Sequence, residues 1–127
     1  MEKFVIDASA WIEYFNGSPV GKQVHEVIAS DATIFTNVIN EYEVFVQSLR
    51  SRNKQAAKDA LDFIENNSNV VQLNRELIEE AALLKASRGI AMADSLVAAT
   101  ALRFNAIILT SDSDFNKVKE AKIRLLK

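Results

Sequence analysis

Short apolar runs alternate along this chain with longer stretches in which apolar residues recur every three or four positions. Lys3–Ile6 reads as a buried strand, and Thr33–Thr36, Val70–Leu73, Ala106–Thr110 and Ile123–Leu126 read as four more. Helical spacing predicts segments over Ser9–Phe15, Val20–Ser30, Val38 to about Leu49, Lys54–Glu65, Arg75–Arg88, and from Ala91 or Met92 to Phe104. Val20, Val24, Val27 and Ile28 share one face of the second helix; Ala57, Ala60, Leu61 and Ile64 point inward from the fourth. Ser9 and Asn37 are expected to cap the helices that follow them, and Gly89 to end the fifth. Asn16-Gly17-Ser18-Pro19 and Asn66-Asn67-Ser68-Asn69 are turns. Strands separated by helical crossovers imply a three-layer α/β/α sandwich with a mainly parallel central sheet.

Composition narrows the class. The 127 residues suffice for one domain, 1–127, with its own core; 49% apolar and 25% charged is ordinary globular usage. The absence of cysteine excludes disulfides, thiol catalysis and a Cys-based zinc site, and fits a reducing cytoplasm. No apolar run approaches a membrane span, and Met1-Glu2-Lys3-Phe4 enters a strand directly, so neither a membrane segment nor a signal peptide is expected.

Four acids lie where a helix or loop takes over from a strand: Asp7, Glu43, Asp94 and Asp112. In an open parallel sheet such positions converge on the crevice at the carboxyl ends of the strands. Two carboxylates ~4 Å apart repel by about 4 kcal/mol at an effective dielectric of ~20, so a cation is expected between them. Hard oxygen ligands suit Mg²⁺ or Mn²⁺. The formal charge of −2 changes meaning in this light: with those four neutralised by metal, the remaining 15 basic and 13 acidic residues give +2. Charge alone therefore neither supports nor excludes a nucleic-acid partner.

Each segment also has a bland reading. Asp7 and Ser9 are both good helix caps. Glu41 and Glu43 are two apart on a helix, so only one can face the crevice; Asn37, Asn40 and Glu43 share a face, which selects Glu43 and turns Glu41 toward solvent. Asp94 opens a helix of small residues, where it is a ligand or a partner of the helix dipole. Asp112 and Asp114 both follow the strand ending at Thr110, and one of them is expected to form an Asx turn; Asp112, nearer the strand end, is favoured for the site.

Taken in order, four segments resemble the PIN domain family, and within it the VapC-type toxins: Val5-Ile6-Asp7-Ala8-Ser9-Ala10-Trp11-Ile12, Asn37-Val38-Ile39-Asn40-Glu41-Tyr42-Glu43-Val44, Asp94-Ser95-Leu96-Val97-Ala98-Ala99-Thr100-Ala101 and Ile108-Leu109-Thr110-Ser111-Asp112-Ser113-Asp114-Phe115. The family pattern departs at Asn37, where Ser is commoner, and at Asn40, where Thr is commoner. The resemblance implies a Mg²⁺- or Mn²⁺-dependent endoribonuclease acting as the toxin of a toxin–antitoxin pair. Asp7, Glu43 and Asp94 would hold the first metal, and Asp112 would complete the site or help hold a second. Ser9 and Thr110, with Asp114 beside them, would stand behind the ligands and fix carboxylate rotamers. RNA substrate, a VapB-type antitoxin and a homodimer are the partners so implied.

Other residues carry lesser expectations. His25 is read as a helix-surface residue, and Trp11, Tyr14 and Phe15 as core or dimer contacts rather than stacking platforms. Arg50-Ser51-Arg52-Asn53-Lys54 and the run Lys117, Lys119, Lys122, Arg124, Lys127 are solvated corners or phosphate contacts. Leu49, Ala56, Ala60 and Phe63 are candidates for a homodimer or antitoxin surface. Rival classes are an RNA-processing nuclease without antitoxin and a non-catalytic PIN-like binding module. A signalling receiver-like domain is disfavoured, because one acid rather than a pair follows the first strand and Thr110-Ser111-Asp112 stands where a lysine is needed.

Overall fold

A computed structural model describes the whole chain, Met1–Lys127. Five strands form one parallel sheet: β1 (Lys3–Ile6), β2 (Thr33–Asn37), β3 (Asn69–Val71), β4 (Ile107–Thr110) and β5 (Lys122–Leu125). Their spatial order is β3-β2-β1-β4-β5. Six helices connect or flank them: α1 (Ala8–Asn16), α2 (Gly21–Ala29), α3 (Val38–Ser51), α4 (Lys54–Asn67), α5 (Arg75–Arg88) and α6 (Met92–Phe104). This is the expected α/β/α sandwich.

Alternation along β1 decides which layer each helix joins. Val5 points to one face, where with Ile108 it meets Leu77, Ala81 and Leu84 of α5 and Leu96, Val97 and Ala98 of α6. Phe4 and Ile6 point to the other, where with Leu109 they meet Trp11 of α1, Val24 of α2 and Ile64 of α4. Period-2 alternation of apolar residues on both faces is what a strand covered by helices on both sides requires. Trp11 is fully buried, and its indole N–H donates to Thr36 Oγ1 (3.2 Å), so its one polar atom is satisfied. The expected inward residues Ala57, Ala60 and Ile64 are buried, while Leu61 is partly so.

Most boundaries move by a residue or two, as frayed ends do. The third strand sits one residue earlier and ends at Val71, because its register is set by pairing Asn69, Val70 and Val71 with Phe35, Thr36 and Asn37. A short 3-10 helix over Ser113–Lys117 was not foreseen. Gly89 ends α5 as expected, at φ 67°, with its N–H closing on Lys85 O (3.0 Å). The cap of α1 is a correction. Asp7, not Ser9, is the N-cap: its backbone is extended and its carboxylate accepts from Ala10 N at 3.0 Å. Ser9 lies one turn-position inside the helix and is engaged elsewhere.

Candidate active site

The strand order reverses direction between β1 and β4. The first three strands step outward on one side, and the chain then crosses to the other. Loops leaving neighbouring strands there turn opposite ways and leave a crevice at their carboxyl ends. Asp7 leaves β1 and Thr110 ends β4 at this point. A cleft of about 510 Å³ opens here, lined by Asp7, Asn40, Glu43, Asp94 and Asp112 among others.

A hydrogen-bonded clasp fixes the floor. Thr110 Oγ1 donates to Asp7 Oδ2 (2.7 Å) and accepts from Asp112 N (2.9 Å). Ser9 Oγ donates to Asp7 Oδ1 (2.8 Å) and accepts from Ser111 N (3.1 Å). Each hydroxyl has one proton, and both protons go to Asp7, so the 3.2 Å contact between Ser9 and Thr110 is proximity rather than a further bond. Asp7 thus accepts three hydrogen bonds, counting Ala10 N. A carboxylate offers about four lone-pair sites, which leaves one free to face the cleft.

The acids share one field. Burial raises the Asp7 carboxyl above its ordinary range; the bonds from Thr110, Ala10 and Ser9 work against this, and the charge of Asp112 adds to it. Burial and then the charge of Asp7 raise Glu43. Asp94 is pushed up to about 7 by burial, by the charge of Asp112 and a hydrogen bond with it, and by the charges of Asp7 and Asp114. Asp94, Asp112 and Asp114 each place a carboxylate oxygen within 4.8 Å of the other two. Asp112 accepts from Asp114 N (2.9 Å), so the expected Asx turn is made by Asp112, and it carries the Asp114 carboxyl toward the cluster.

Asn40 supplies a different observation. It is fully buried and lines the cleft; its amide N–H groups go to Thr36 Oγ1 (2.9 Å) and, at long range, to Ile6 O (3.5 Å). Its Oδ1 is buried with no partner. Asn37 Nδ2 nearby is likewise unpartnered; the oxygens that suit a hard cation are the clustered carboxylates of Asp94, Asp112 and Asp114. The residues present therefore fit a divalent cation with oxygen ligands.

The sequence matches the family model of the PIN domain over residues 4–121. The chain belongs to the PIN domain family. No curated protein matches it. Among solved structures, the Rickettsia felis VapBC2 complex, solved with a DNA fragment from its promoter, superposes with TM-score 0.81 at 17% identity, covering 98% of this chain and 99% of that one. VapBC-1 from nontypeable Haemophilus influenzae gives 0.75 at 18%, covering 97% of each. Mycobacterium tuberculosis VapC20, a toxin that cleaves the sarcin-ricin loop, gives 0.77 at 18%, covering 91% and 94%. At such identities the likeness is one of fold.

Within this PIN fold, the expected positions divide as follows. Asp7, Glu43, Asp94 and Asp112 line one cleft, and Ser9 and Thr110 bind the carboxylate of Asp7. Glu41 departs from expectation. It faces Glu65 of α4 rather than open solvent, and burial together with that carboxyl pushes it up to about 7, with its Oε2 left unpartnered. Residues two apart on α3 do diverge, but the second face meets a helix. His25 is exposed and stacks on Tyr14. Tyr14, Phe15 and Phe63 form an aromatic cluster beside Trp11, so Ala60 and Phe63 are largely used within the chain. Of the candidates for a partner surface, Leu49 is exposed as expected; the other large apolar side chains left exposed are Met1, Tyr42 on α3, Ile78 and Leu83 on α5, and Met92 and Leu102 on α6. Sequence spacing alone carried no sign of the orphaned Asn40 oxygen, which depends on what fills the space around it.

Proposed function

We propose that this PIN domain is a divalent-metal-dependent endoribonuclease serving as the toxin of a VapBC-type pair. The carrying observation is the convergence of Asp94, Asp112 and Asp114 within 4.8 Å at the switch point, beside a cleft lined by Asp7, Glu43, Asp94 and Asp112. A bound Mg²⁺ or Mn²⁺ would supply a Lewis acid for the scissile phosphate and lower the pKa of its own water. Asp94 and Asp112, whose carboxylates lie together with that of Asp114, would hold the ion, and Asp7 and Glu43, which line the same cleft, would complete its shell directly or through water. Ser9 and Thr110 keep the Asp7 carboxylate in one rotamer, so no reorganisation is needed as charge develops. Asn40 Oδ1, buried without a partner, would accept a hydrogen bond from a water held at the site. No histidine takes part; His25 is on the outer side of α2.

An antitoxin inhibits by denying access. An arginine entering the cleft pairs with two carboxylate oxygens at once and competes with the cation for them. Homodimerisation uses the exposed apolar side chains of α5 and α6. The test is direct: purified protein should cleave single-stranded RNA with Mn²⁺ or Mg²⁺ and stop on chelation. The product of a gene adjacent to this one, bound in a purified complex, should remove cleavage and metal affinity together. An antitoxin complex that cuts RNA at full rate would sink the mechanism of inhibition, and a metal-replete protein inert toward all RNA would sink the nuclease. A monomer at high micromolar concentration in sedimentation would sink the dimer.

A further inference from the structure

The cleft does not end at the carboxylates. Helix α3 lines it over more than two turns, through Tyr42, Glu43, Val46, Gln47 and Arg50. These residues are spaced i, i+4, i+8 from Tyr42 and i, i+4, i+7 from Glu43, which places them on one broad face. Two of them are uncommitted within the chain. Tyr42 is 67% exposed, the only aromatic side chain mostly open to solvent, and it has no ring partner, unlike the stacked Tyr14 and Phe63. Arg50 is exposed, its side chain makes no ion pair or hydrogen bond within the chain, and it is the only basic residue lining the cleft. Its neighbours are engaged: Arg52 donates to Phe15 O (3.1 Å), and Asn53 caps α4.

We infer that Tyr42 and Arg50 form a track for single-stranded RNA along α3, Tyr42 stacking on one unpaired base beside the metal site and Arg50 holding a phosphate farther along the strand. This rests on the nuclease reading above and adds to it the α3 residues that hold the strand beyond the carboxylates. The charge pattern demands such a point. Four acids at the floor repel a polyanion wherever metal does not screen them, so a strand needs an attractive contact away from them. Arg50 stands seven residues beyond Glu43, about 10 Å along the helix axis, far enough to take a different phosphate from the one being cut. A guanidinium fork binds phosphate oxygens in pairs. An exposed ring beside the site binds any base whose face is free, which a base inside a duplex does not offer.

Binding is measured by fluorescence anisotropy of a fluorescein-labelled single-stranded oligoribonucleotide and of a duplex of equal length. The Asp94→Asn background keeps the strand intact. Tyr42→Ala should weaken single-strand binding about tenfold and leave duplex binding unchanged, while Tyr42→Phe stays within about twofold of the parent. Arg50→Ala should lessen the slope of log K against log salt by about 0.7, the value for one phosphate contact on a single strand, and Arg50→Lys should restore the slope. With Asp94 restored and Mn²⁺ present, both alanine variants should raise KM and leave kcat within about threefold. Both positions are exposed, so both variants are expected to fold. If wild type cleaves RNA while neither alanine variant changes affinity or salt slope, the track is wrong and the nuclease reading stands. Equal losses on single strand and duplex for Tyr42→Ala overturn the stacking role. Loss of a homodimer or of antitoxin binding, with RNA affinity intact, makes this face a protein interface and overturns the track. Wild type that neither binds nor cleaves single-stranded RNA takes down both readings.

Discussion

Replacing Asp94 by Asn keeps the side-chain volume and removes one charge from the crowded floor of the cleft. In metal-free protein that charge is a burden. The Asp94 carboxyl rises from its ordinary 3.8 to about 7, first through burial and next through Asp112. At about 1.4 kcal/mol per pH unit this corresponds to roughly 4 kcal/mol. Asp94 is half-buried, so solvent screens a large part, and ~1–2 kcal/mol is the expected remainder. The sign follows from linkage. The folded-state value lies above the unfolded one, so the wild-type carboxyl contributes its full stability below pH 3.8 and loses it as pH rises through about 7. Asn is neutral throughout. Asp94→Asn should therefore stabilise the chelated protein above pH 7, by roughly 3–8 °C in Tm for a domain of this size. At pH 4 the two should melt within a degree or two of each other. Urea titrations in EDTA at pH 4 and pH 8 give the free-energy difference, with unchanged slopes expected if only charge has been removed. The same variant should lose RNA cleavage when Mn²⁺ is returned. An Asn variant less stable than wild type at pH 8, or equally shifted at both pH values, refutes the repulsion argument. Full cleavage by it removes Asp94 from the mechanism.

Three further outcomes are expected. Glu43→Gln should abolish cleavage, whereas Glu41→Gln should leave it nearly untouched. Because Glu41 is pushed to about 7 beside Glu65, its Gln variant should also flatten the stability lost between about pH 4.5 and 7; inactivity of Glu41→Gln would place the wrong glutamate in the cleft. Mn²⁺ should raise the thermal midpoint of chelated wild type, by the equivalent of about 2.7 kcal/mol at one hundred times Kd, and a melt unmoved at millimolar Mn²⁺ would count against a working metal site. Gly21→Ala should destabilise by ~1–3 kcal/mol without altering the cleft, since the added Cβ would press on the backbone carbonyl of Glu13 where α2 packs on α1; wild-type stability in calorimetry would show that α2 can shift.

The reach of the sequence is clearest where local rules act without competition. Asn37 caps α3 and Gly89 ends α5 as expected, because caps and stops need only a few neighbouring residues. The apolar run of β1 announced a strand buried on both faces, and the parallel sandwich followed from strands separated by crossovers. The face shared by Asn37, Asn40 and Glu43 selected Glu43 because helix geometry is periodic, and Glu43 does line the cleft.

Where local rules competed, tertiary structure chose. Asp7 and Ser9 are both able to cap α1; Asp7 does so because the Ser9 hydroxyl is drawn to the Asp7 carboxylate and the Ser111 N–H, more than one hundred positions away in sequence. Glu41 was free to meet water until the α3–α4 packing set Glu65 beside it. The orphaned oxygen of Asn40, the joining of Asp114 to Asp94 and Asp112, and the free Arg50 at the rim of the cleft are of the same kind. Periodicity and capping depend on residues within a few positions of each other, so the sequence by itself determined the elements, their layering and the acids placed at strand ends. Which of those acids share a field, and which polar groups are left unpaired, depends on distances across the sheet and between helices, and only the packed chain sets them.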